Sequence, residues 1–401
     1  PIDGLMAQYA PNMKYWFDVT DDVRRAYTMS DGHIYTIPQQ FQTDTAKLAC
    51  YNNLVLMIRE DWLNDLNLEV PETMDEFYNV LKAFKTKDPN KNNKNDEVPF
   101  TCSWSGIGLN LFMPLAWMYG MHPINDGIYP DSSGKLVCEW QEPRMKEFLI
   151  EMNKWFREGL IDPDFMNLSY EKWAAQVNGS IAGSTFWFNM APFMGINEEV
   201  KKSSGNPEAG FIQIPTPSAA GYEGIIESLT EPYAEHFAIS KDCKNPELAI
   251  KWLDYVVFSE EGVMYHYFGI EGLSFEYVDG KPVLLDSIKN SPEGEGIAKA
   301  RIGMDHHGSI PILVTNEALD ASWGALYPQI KLRDQLEAQI KKTTRRLNVF
   351  PTREESERLN VITNDLVTYR NEMLLKFITG EISISEFDNY VKKLSEIGMD
   401  E

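Results

Sequence analysis

Between Asp88 and Glu97 the chain reads Asp-Pro-Asn-Lys-Asn-Asn-Lys-Asn-Asp-Glu, and oxygen-bearing side chains recur at near-alternate places: Asp88, Asn90, Asn92, Asp96 and Glu97. A hard divalent cation such as calcium takes roughly six to eight oxygens, some charged and some neutral. Side chains at the first, third, fifth and ninth places of a tight loop suit that demand, with the backbone carbonyl of Lys94 at the seventh. The loop departs from a standard EF-hand. Asn93 stands where that loop has Gly, Pro99 falls at its last ligand position, and the late carboxylate comes early, at Glu97. Asn93 tolerates the left-handed backbone that the sixth place requires. The same residues also suit an ordinary solvated turn after a helix, although Asp96 and Glu97 would then repel each other with only water to screen them.

Other chemistry is sparse. There is no Gly-x-Gly-x-x-Gly dinucleotide turn, no P-loop and no Gly-x-Ser-x-Gly elbow. His306 and His307 are adjacent, so their side chains diverge, and no His-Glu-x-x-His frames them; a polar loop is the better reading. A glycosidase would need two carboxyls flanking its substrate, and the 60 acidic residues offer no way to choose a pair. Ten Trp and 18 Tyr are many for the length, either for packing or as flat faces for sugar rings.

The elements that position these residues follow from periodicity and capping. Gly32–Pro38 alternates as a short strand, and Leu54–Ile58 is an apolar strand leading into a helix near Glu60–Leu66. Thr73-Met-Asp-Glu76 is a capping box, opening a helix whose stripe is Phe77, Leu81 and Phe84 and which runs into the Asp88 loop. Val98–Cys102 and Ser180–Phe188 read as strands, and Arg144–Phe156 as an amphipathic helix. Phe237–Ser240 is a short strand, after which Asn245-Pro246 opens a helix that should turn Leu248, Trp252, Tyr255 and Val256 inward. Asp279-Gly280 has hairpin chemistry, and Arg353–Phe377 and Ile384–Leu394 are helical with Gly380 between them. Strand–helix–loop–strand succession indicates an α/β lobe.

At 401 residues the chain exceeds one ordinary core, so two domains are expected. Hydrophobic content of 43% marks a folded protein. A net charge of −23 argues against nucleic acid and against adhesion to anionic lipid. Cys50, Cys102, Cys138 and Cys243 lie far apart without metal or redox spacing and read as small buried thiols. No apolar run is long enough to span a membrane and no signal peptide is visible. The chain opens at Pro1 without an initiator Met, so an N-terminal segment is expected to have been removed.

Taken together, several stretches carry a resemblance: Glu60-Asp-Trp-Leu-Asn-Asp-Leu, Val70-Pro-Glu-Thr-Met-Asp-Glu-Phe77, Asp88-Pro-Asn through Asp96-Glu-Val-Pro99, Gly269-Ile-Glu-Gly272 with Asp279-Gly-Lys-Pro282, and Phe377-Ile-Thr-Gly through Phe387. In this order they resemble the extracellular carbohydrate-binding proteins of bacterial ABC importers, in particular the Gram-positive lipoprotein subgroup and its alginate-binding homologues. The resemblance spans essentially the whole chain but departs at its start, because family members open with a lipoprotein signal and further first-lobe strands.

The resemblance implies an α/β, two-lobe periplasmic-binding-protein-like fold with a hinge and a central ligand cleft. The first lobe would hold residues 1–103 (its N-terminal portion missing) and 237–300, and the second 104–236 and a helical 301–401. It implies a binding protein, not an enzyme, that captures a mono- or oligosaccharide by lobe closure and delivers it to the transmembrane subunits of an ABC permease. A polysaccharide-processing enzyme and a sugar-sensing binding protein are the alternatives. Ligand contacts are expected from Gln39, Gln40, Trp104, Trp187, Asn189, Tyr267, Glu271, Arg301, His306, His307 and Trp323, while Trp62, Trp155, Trp173 and Trp252 belong to the core. Alginate-binding relatives hold calcium in a loop of the Asp88 pattern. Carried over, structural calcium would take Asp88, Asn90, Asn92, the Lys94 carbonyl, Asp96 and Glu97. The expected state is a monomer on the outer face of the cytoplasmic membrane, held by a lipid anchor absent from this chain.

Overall fold

The computed structural model describes residues 1–19, 21–38, 40–42, 54–102, 112–123, 127–131, 133–165, 168–188, 195–227, 236–293, 295–304, 312–316, 320, 330–341 and 351–400. The chain divides into two compact units. One comprises Pro1–Tyr51, Thr230–Gln329 and Asn348–Thr352; the other comprises Asn52–Leu229, Ile330–Leu347 and Arg353–Glu401.

The second unit is built on a four-stranded mixed sheet in the order Val98–Thr101, Ala182–Phe188, Leu54–Arg59, Phe211–Ile214. The first pair is parallel and the others antiparallel, with Leu54 opposite Phe188 and Ile58 opposite both Ser184 and Ile212. Every residue of Leu54–Arg59 is buried, as a central strand covered on both faces requires. The covering helix Met74–Thr86 starts at a complete capping box. The Thr73 hydroxyl accepts from the Glu76 N–H at 3.2 Å, and the Glu76 carboxylate accepts from the Thr73 N–H at 3.0 Å. Its stripe of Phe77, Leu81 and Phe84 is buried, and Phe84 meets Trp62 edge to face at 5.2 Å. Gly183 leaves room for that pair, because a Cβ there would stand 2.5 Å from Phe84 and 2.9 Å from Trp62. Trp62, Trp155 and Trp173 are core residues, as their helical phase indicated. The long helix Arg353–Thr379 packs on Pro143–Arg157, and Gly380, at φ +80°, turns the chain toward Phe387–Ile397.

This sheet corrects the expected lobe boundaries. Leu54–Arg59 and Val98–Thr101, assigned to the first lobe, pair with Ala182–Phe188, assigned to the second; backbone hydrogen bonding makes them one sheet.

The first unit has its own core of Met6, Met13, Phe17, Tyr27, Ile34, Ile37, Ile250, Val257, Phe258 and Leu313. Thr36–Pro38 pairs antiparallel with His236–Ala238, and Gln40–Gln42 pairs parallel with Ile312–Val314. The expected hairpin forms, with Phe275–Val278 against Lys281–Leu284 and both turn residues at positive φ, Asp279 at 50° and Gly280 at 77°.

The helix opening at Pro246 does not present the face its sequence suggested. Leu248, Trp252 and Tyr255 are exposed, at 65%, 51% and 47%, while Ile250, Val257 and Phe258 are buried. Ile250, Asp254, Val257 and Phe258 are spaced as an ordinary helical stripe, so the helix, which runs into a π-helical stretch at Asp254–Phe258, buries a competing face that includes Asp254. The buried Asp254 pins the new face by accepting from Asn12 Nδ2 at 2.9 Å and the Met13 N–H at 2.6 Å. Asn245 precedes the helix at φ −133°, and its side chain makes no capping bond. Cys102 is buried and Cys138 and Cys243 half-buried; Cys50 lies outside the described residues. Among the described residues no helix is long and apolar enough to cross a membrane.

Candidate functional site

The Asp88–Glu97 loop follows the Met74–Thr86 helix and leads into the Val98–Thr101 strand. Asp88, Lys91 and Asn93 adopt positive φ, at 48°, 56° and 59°, so Asn93 takes the left-handed conformation expected of it. The Asp88 carboxylate accepts from the Asn92 and Asn93 N–H groups, both at 3.1 Å. Asn90 Oδ1 accepts from the Asn92 N–H at 3.2 Å, and Asn92 Oδ1 from the Lys94 N–H at 2.7 Å. Asn92 Nδ2 donates to both Asp96 oxygens, at 3.0 and 3.1 Å. These bonds, led by the Asn92 amide, hold the Asp96 carboxyl below its ordinary range. Asn90 Nδ2 donates at 3.4 Å to the carbonyl of Ser180, just before the Ala182–Phe188 strand.

Glu97 is the anomaly. It is 2% exposed, and its Oε1 has no hydrogen-bond partner. Burial first, then the neighbouring Asp88 and Asp96 charges, pushes its carboxyl above the usual range. Lys85 reaches only its backbone carbonyl, at 3.2 Å. Among the described residues no three Asp, Glu, His or Cys side chains converge as a metal cage. The loop nevertheless holds what a calcium site needs chemically. It gathers hard oxygen donors and leaves one buried carboxylate oxygen unsatisfied.

The expected ligand residues fall into different places. Trp187 pairs with Val55 near the end of its strand and is half-buried. It stacks on Trp173 at 4.3 Å and 28°, with Tyr170 beside it at 5.8 Å. Trp173 is buried and donates from Nε1 to Thr185 Oγ1 at 2.8 Å, which fixes the inner ring of the stack. Tyr170 opens its helix behind the Ser169 cap and is 49% exposed.

In the first unit, Tyr267 ends the helix Glu260–Tyr267, and burial pushes its phenol up. That half-buried residue packs on a small core with Phe268, Phe275 and Met304. Glu271 is exposed on the rim of an open groove of about 610 Å³ lined also by Tyr255, Tyr265 and Tyr277. Tyr265 donates to Glu261 at 3.2 Å. Arg301 is exposed and paired with Glu293 at 2.8 Å. Gln40 lies in the strand paired with Ile312. Gln39, Trp104, Asn189, His306, His307 and Trp323 lie outside the described residues.

The structure thus brings Trp187 together with Tyr170 and Trp173, and Tyr267 near Glu271 in sequence and space through the Glu271–Phe275 bridge. Tyr170 was not singled out from the sequence. Its spacing of three from Trp173 behind a Ser cap was the available signal.

The sequence profile described as "bacterial extracellular solute-binding protein" matches residues 1–263. A fructooligosaccharide ABC transporter substrate-binding protein of Streptococcus pneumoniae serotype 4 is 25% identical over 409 residues, spanning 100% of this chain and 73% of that protein. An alginate-binding protein solved without calcium ion superposes with a TM-score of 0.73 at 26% identity, covering 99% of this chain and 78% of that one. The pneumococcal protein in complex with kestose superposes with a TM-score of 0.77 at 22% identity, covering 100% and 80%, a likeness of fold.

Proposed function

Because this chain belongs to the family of bacterial extracellular solute-binding proteins, we propose that it is the extracytoplasmic carbohydrate-binding subunit of an ABC importer. Its fold is the two-lobe α/β fold of that family. The observation that carries the sugar reading is the Tyr170–Trp173–Trp187 cluster, a rigid stack with a half-buried ring at a strand end. Sugars need flat apolar faces for their C–H surfaces and planar polar groups for their hydroxyls. The work is capture and delivery without turnover. Ligand shifts the protein toward a closed state, and permease subunits in the membrane receive it. The protein acts as a monomer at the cell surface through a lipid anchor. Of the remaining candidates, Tyr267, Glu271, Gln40, Arg301 and the residues outside the described set stand as contacts to be tested.

The Asp88–Glu97 loop is assigned to structural calcium. Asp88, Asn90, Asn92, the Lys94 carbonyl, Asp96 and Glu97 would hold it. The support is the buried, unsatisfied Glu97 oxygen beside two further carboxylates. When bound, the ion supplies the positive charge that these groups lack. The chain's own part is to fix the end of the Met74–Thr86 helix to the following strand and, through Asn90, to Ser180.

A thermal-shift screen against mono- and oligosaccharides, with and without chelator, tests both readings. Stabilisation by a glycan without product formation is expected. Glycan breakdown would point to an enzyme, and no shift with any glycan would remove the transport reading.

A further inference from the structure

Thr185 is fully buried in the strand Ala182–Phe188, and its Oγ1 accepts from Trp173 Nε1 at 2.8 Å. Side chains two apart on a strand share a face, so Thr185 and Trp187 both meet the helix Tyr170–Asn178. Phe186 takes the other face, where it meets Trp117 edge to face at 5.2 Å. Trp173 therefore touches the strand twice, through its indole N–H at Thr185 and through its ring at Trp187, 4.3 Å away. Stacking resists tilting of an indole but lets it slide and rotate in its plane; a directional N–H bond removes that freedom.

Burial by itself does not impose this bond. Trp62 and Trp155 are buried in the same unit, and their Nε1 atoms have no hydrogen-bond partner. A Val of the same shape would suit a buried strand position as well as Thr185 does; what the hydroxyl adds is the acceptor. The helix that carries Trp173 is held in the same way one turn later. Thr101, directly opposite Thr185 in the parallel pair, places its hydroxyl 2.8 Å from Gln176 Oε1 and 2.9 Å from Asp162 Oδ2. Gln176 Nε2 donates to the same Asp162 oxygen at 2.8 Å. Two strand hydroxyls in register thus meet two helix side chains at i and i+3 spacing, which opposes rolling and sliding of the helix.

We infer that Thr185 is a positioning residue for the glycan platform. By holding the Trp173 indole it sets the ring against which Trp187 and Tyr170 rest, and so the orientation of the aromatic surface offered to a sugar. Buried itself, it acts through Trp173. The inference rests on the carbohydrate-binding reading above and extends it to a residue beneath the platform.

Isothermal titration of the full chain with kestose, maltotriose, mannotriose and tri-galacturonate, and with any other glycan that scores in the thermal-shift screen, identifies the tightest binder. That glycan is then titrated into four variants. Thr185→Val keeps the shape and loses the acceptor, Thr185→Ser keeps the acceptor, and Trp173→Phe keeps a ring and loses the donor. Ser184→Ala is the control: it removes a buried hydroxyl on the opposite face of the strand, which donates to the Met57 carbonyl at 2.8 Å. Thr185→Val and Trp173→Phe should weaken binding about three- to tenfold, and Thr185→Ser and Ser184→Ala less than about twofold. Stacked indoles couple their ultraviolet transitions, so circular dichroism reads the Trp173–Trp187 geometry without ligand. The band that Trp187→Phe abolishes should shrink in Thr185→Val and persist in Thr185→Ser. A Thr that merely held the fold would lower the melting temperature and leave affinity and band unchanged, which overturns the inference. An equal loss of affinity in Ser184→Ala also overturns it. If Thr185→Val fails to fold, the affinities of Trp173→Phe and Thr185→Ser decide. Unchanged affinity in the variants leaves the importer reading standing, whereas binding of no glycan by the parent protein removes that reading and this inference with it.

Discussion

Replacing Glu97 by Gln separates the charge of the loop from its shape. In the metal-free protein the Glu97 carboxylate is buried, lacks a partner on Oε1 and faces Asp88 and Asp96. An unsatisfied buried polar group costs about 1–3 kcal/mol, and more when charged. A neutral amide of the same shape should therefore recover about 1 kcal/mol without metal. Calcium reverses the ranking. At a calcium concentration of about a hundred times the dissociation constant, binding stabilises the native state by roughly 2.7 kcal/mol. At about 2–4 °C per kcal/mol for a unit of this size, the parent protein should gain about 5–11 °C. Glu97→Gln should gain far less, because it loses a charged ligand. Differential scanning calorimetry in calcium and in chelator reads both numbers.

The pH dependence gives a second check. The folded-state pKa of Glu97 is raised, so the native state binds more protons than the unfolded one. In chelator, its contribution should improve as pH falls from neutral through the carboxylate range and worsen as pH rises through the raised value. Asp96 works in the opposite sense because its folded pKa is lowered. The difference between parent and Glu97→Gln isolates Glu97. Equal calcium shifts in the two proteins, or no shift in the parent, would refute the reasoning.

Three further outcomes are expected. Trp187→Ala should weaken glycan binding at least tenfold in titration calorimetry while retaining the fold, since aromatic rings that stack on sugar faces carry much of the contact. Gly183→Ala should lower the urea midpoint by an amount worth about 1–3 kcal/mol, because its methyl meets Phe84 and Trp62 below van der Waals distance. In the first unit, Ile250→Ala should cost about 2–5 kcal/mol and Trp252→Ser less than about 0.5 kcal/mol in chemical denaturation. The reverse ranking would show that the helix faces the way its hydrophobic pattern suggested.

That helix shows where local pattern reaches its limit. Leu248, Trp252 and Tyr255 share helical spacing and read as a core stripe, yet they are exposed. Ile250, Asp254, Val257 and Phe258 share the same spacing and are the face that is buried, with Asp254 bonded to Asn12 and Met13, a tertiary contact that spacing does not contain. By contrast, the Thr73–Glu76 box, the Asp279-Gly280 hairpin and the Gly380 break depend on contacts a few residues apart, and each formed where the sequence placed it. The lobe boundaries were misplaced for a related reason. The strands at Leu54 and Val98 look self-sufficient in sequence, and only pairing with Ala182–Phe188 reveals their common sheet.

The sequence by itself determined the family, the two-lobe α/β class and the oxygen-rich loop, because these rest on residue types, short-range capping and the order of motifs along the chain. Tertiary structure alone decided that Glu97 Oε1 is buried without a hydrogen bond and that Trp187 is braced by Trp173 and Tyr170. Burial and orphaned hydrogen-bonding groups are sums over neighbours remote in sequence, such as Lys85 against Glu97 or Thr185 against Trp173, so no local reading of the chain contains them.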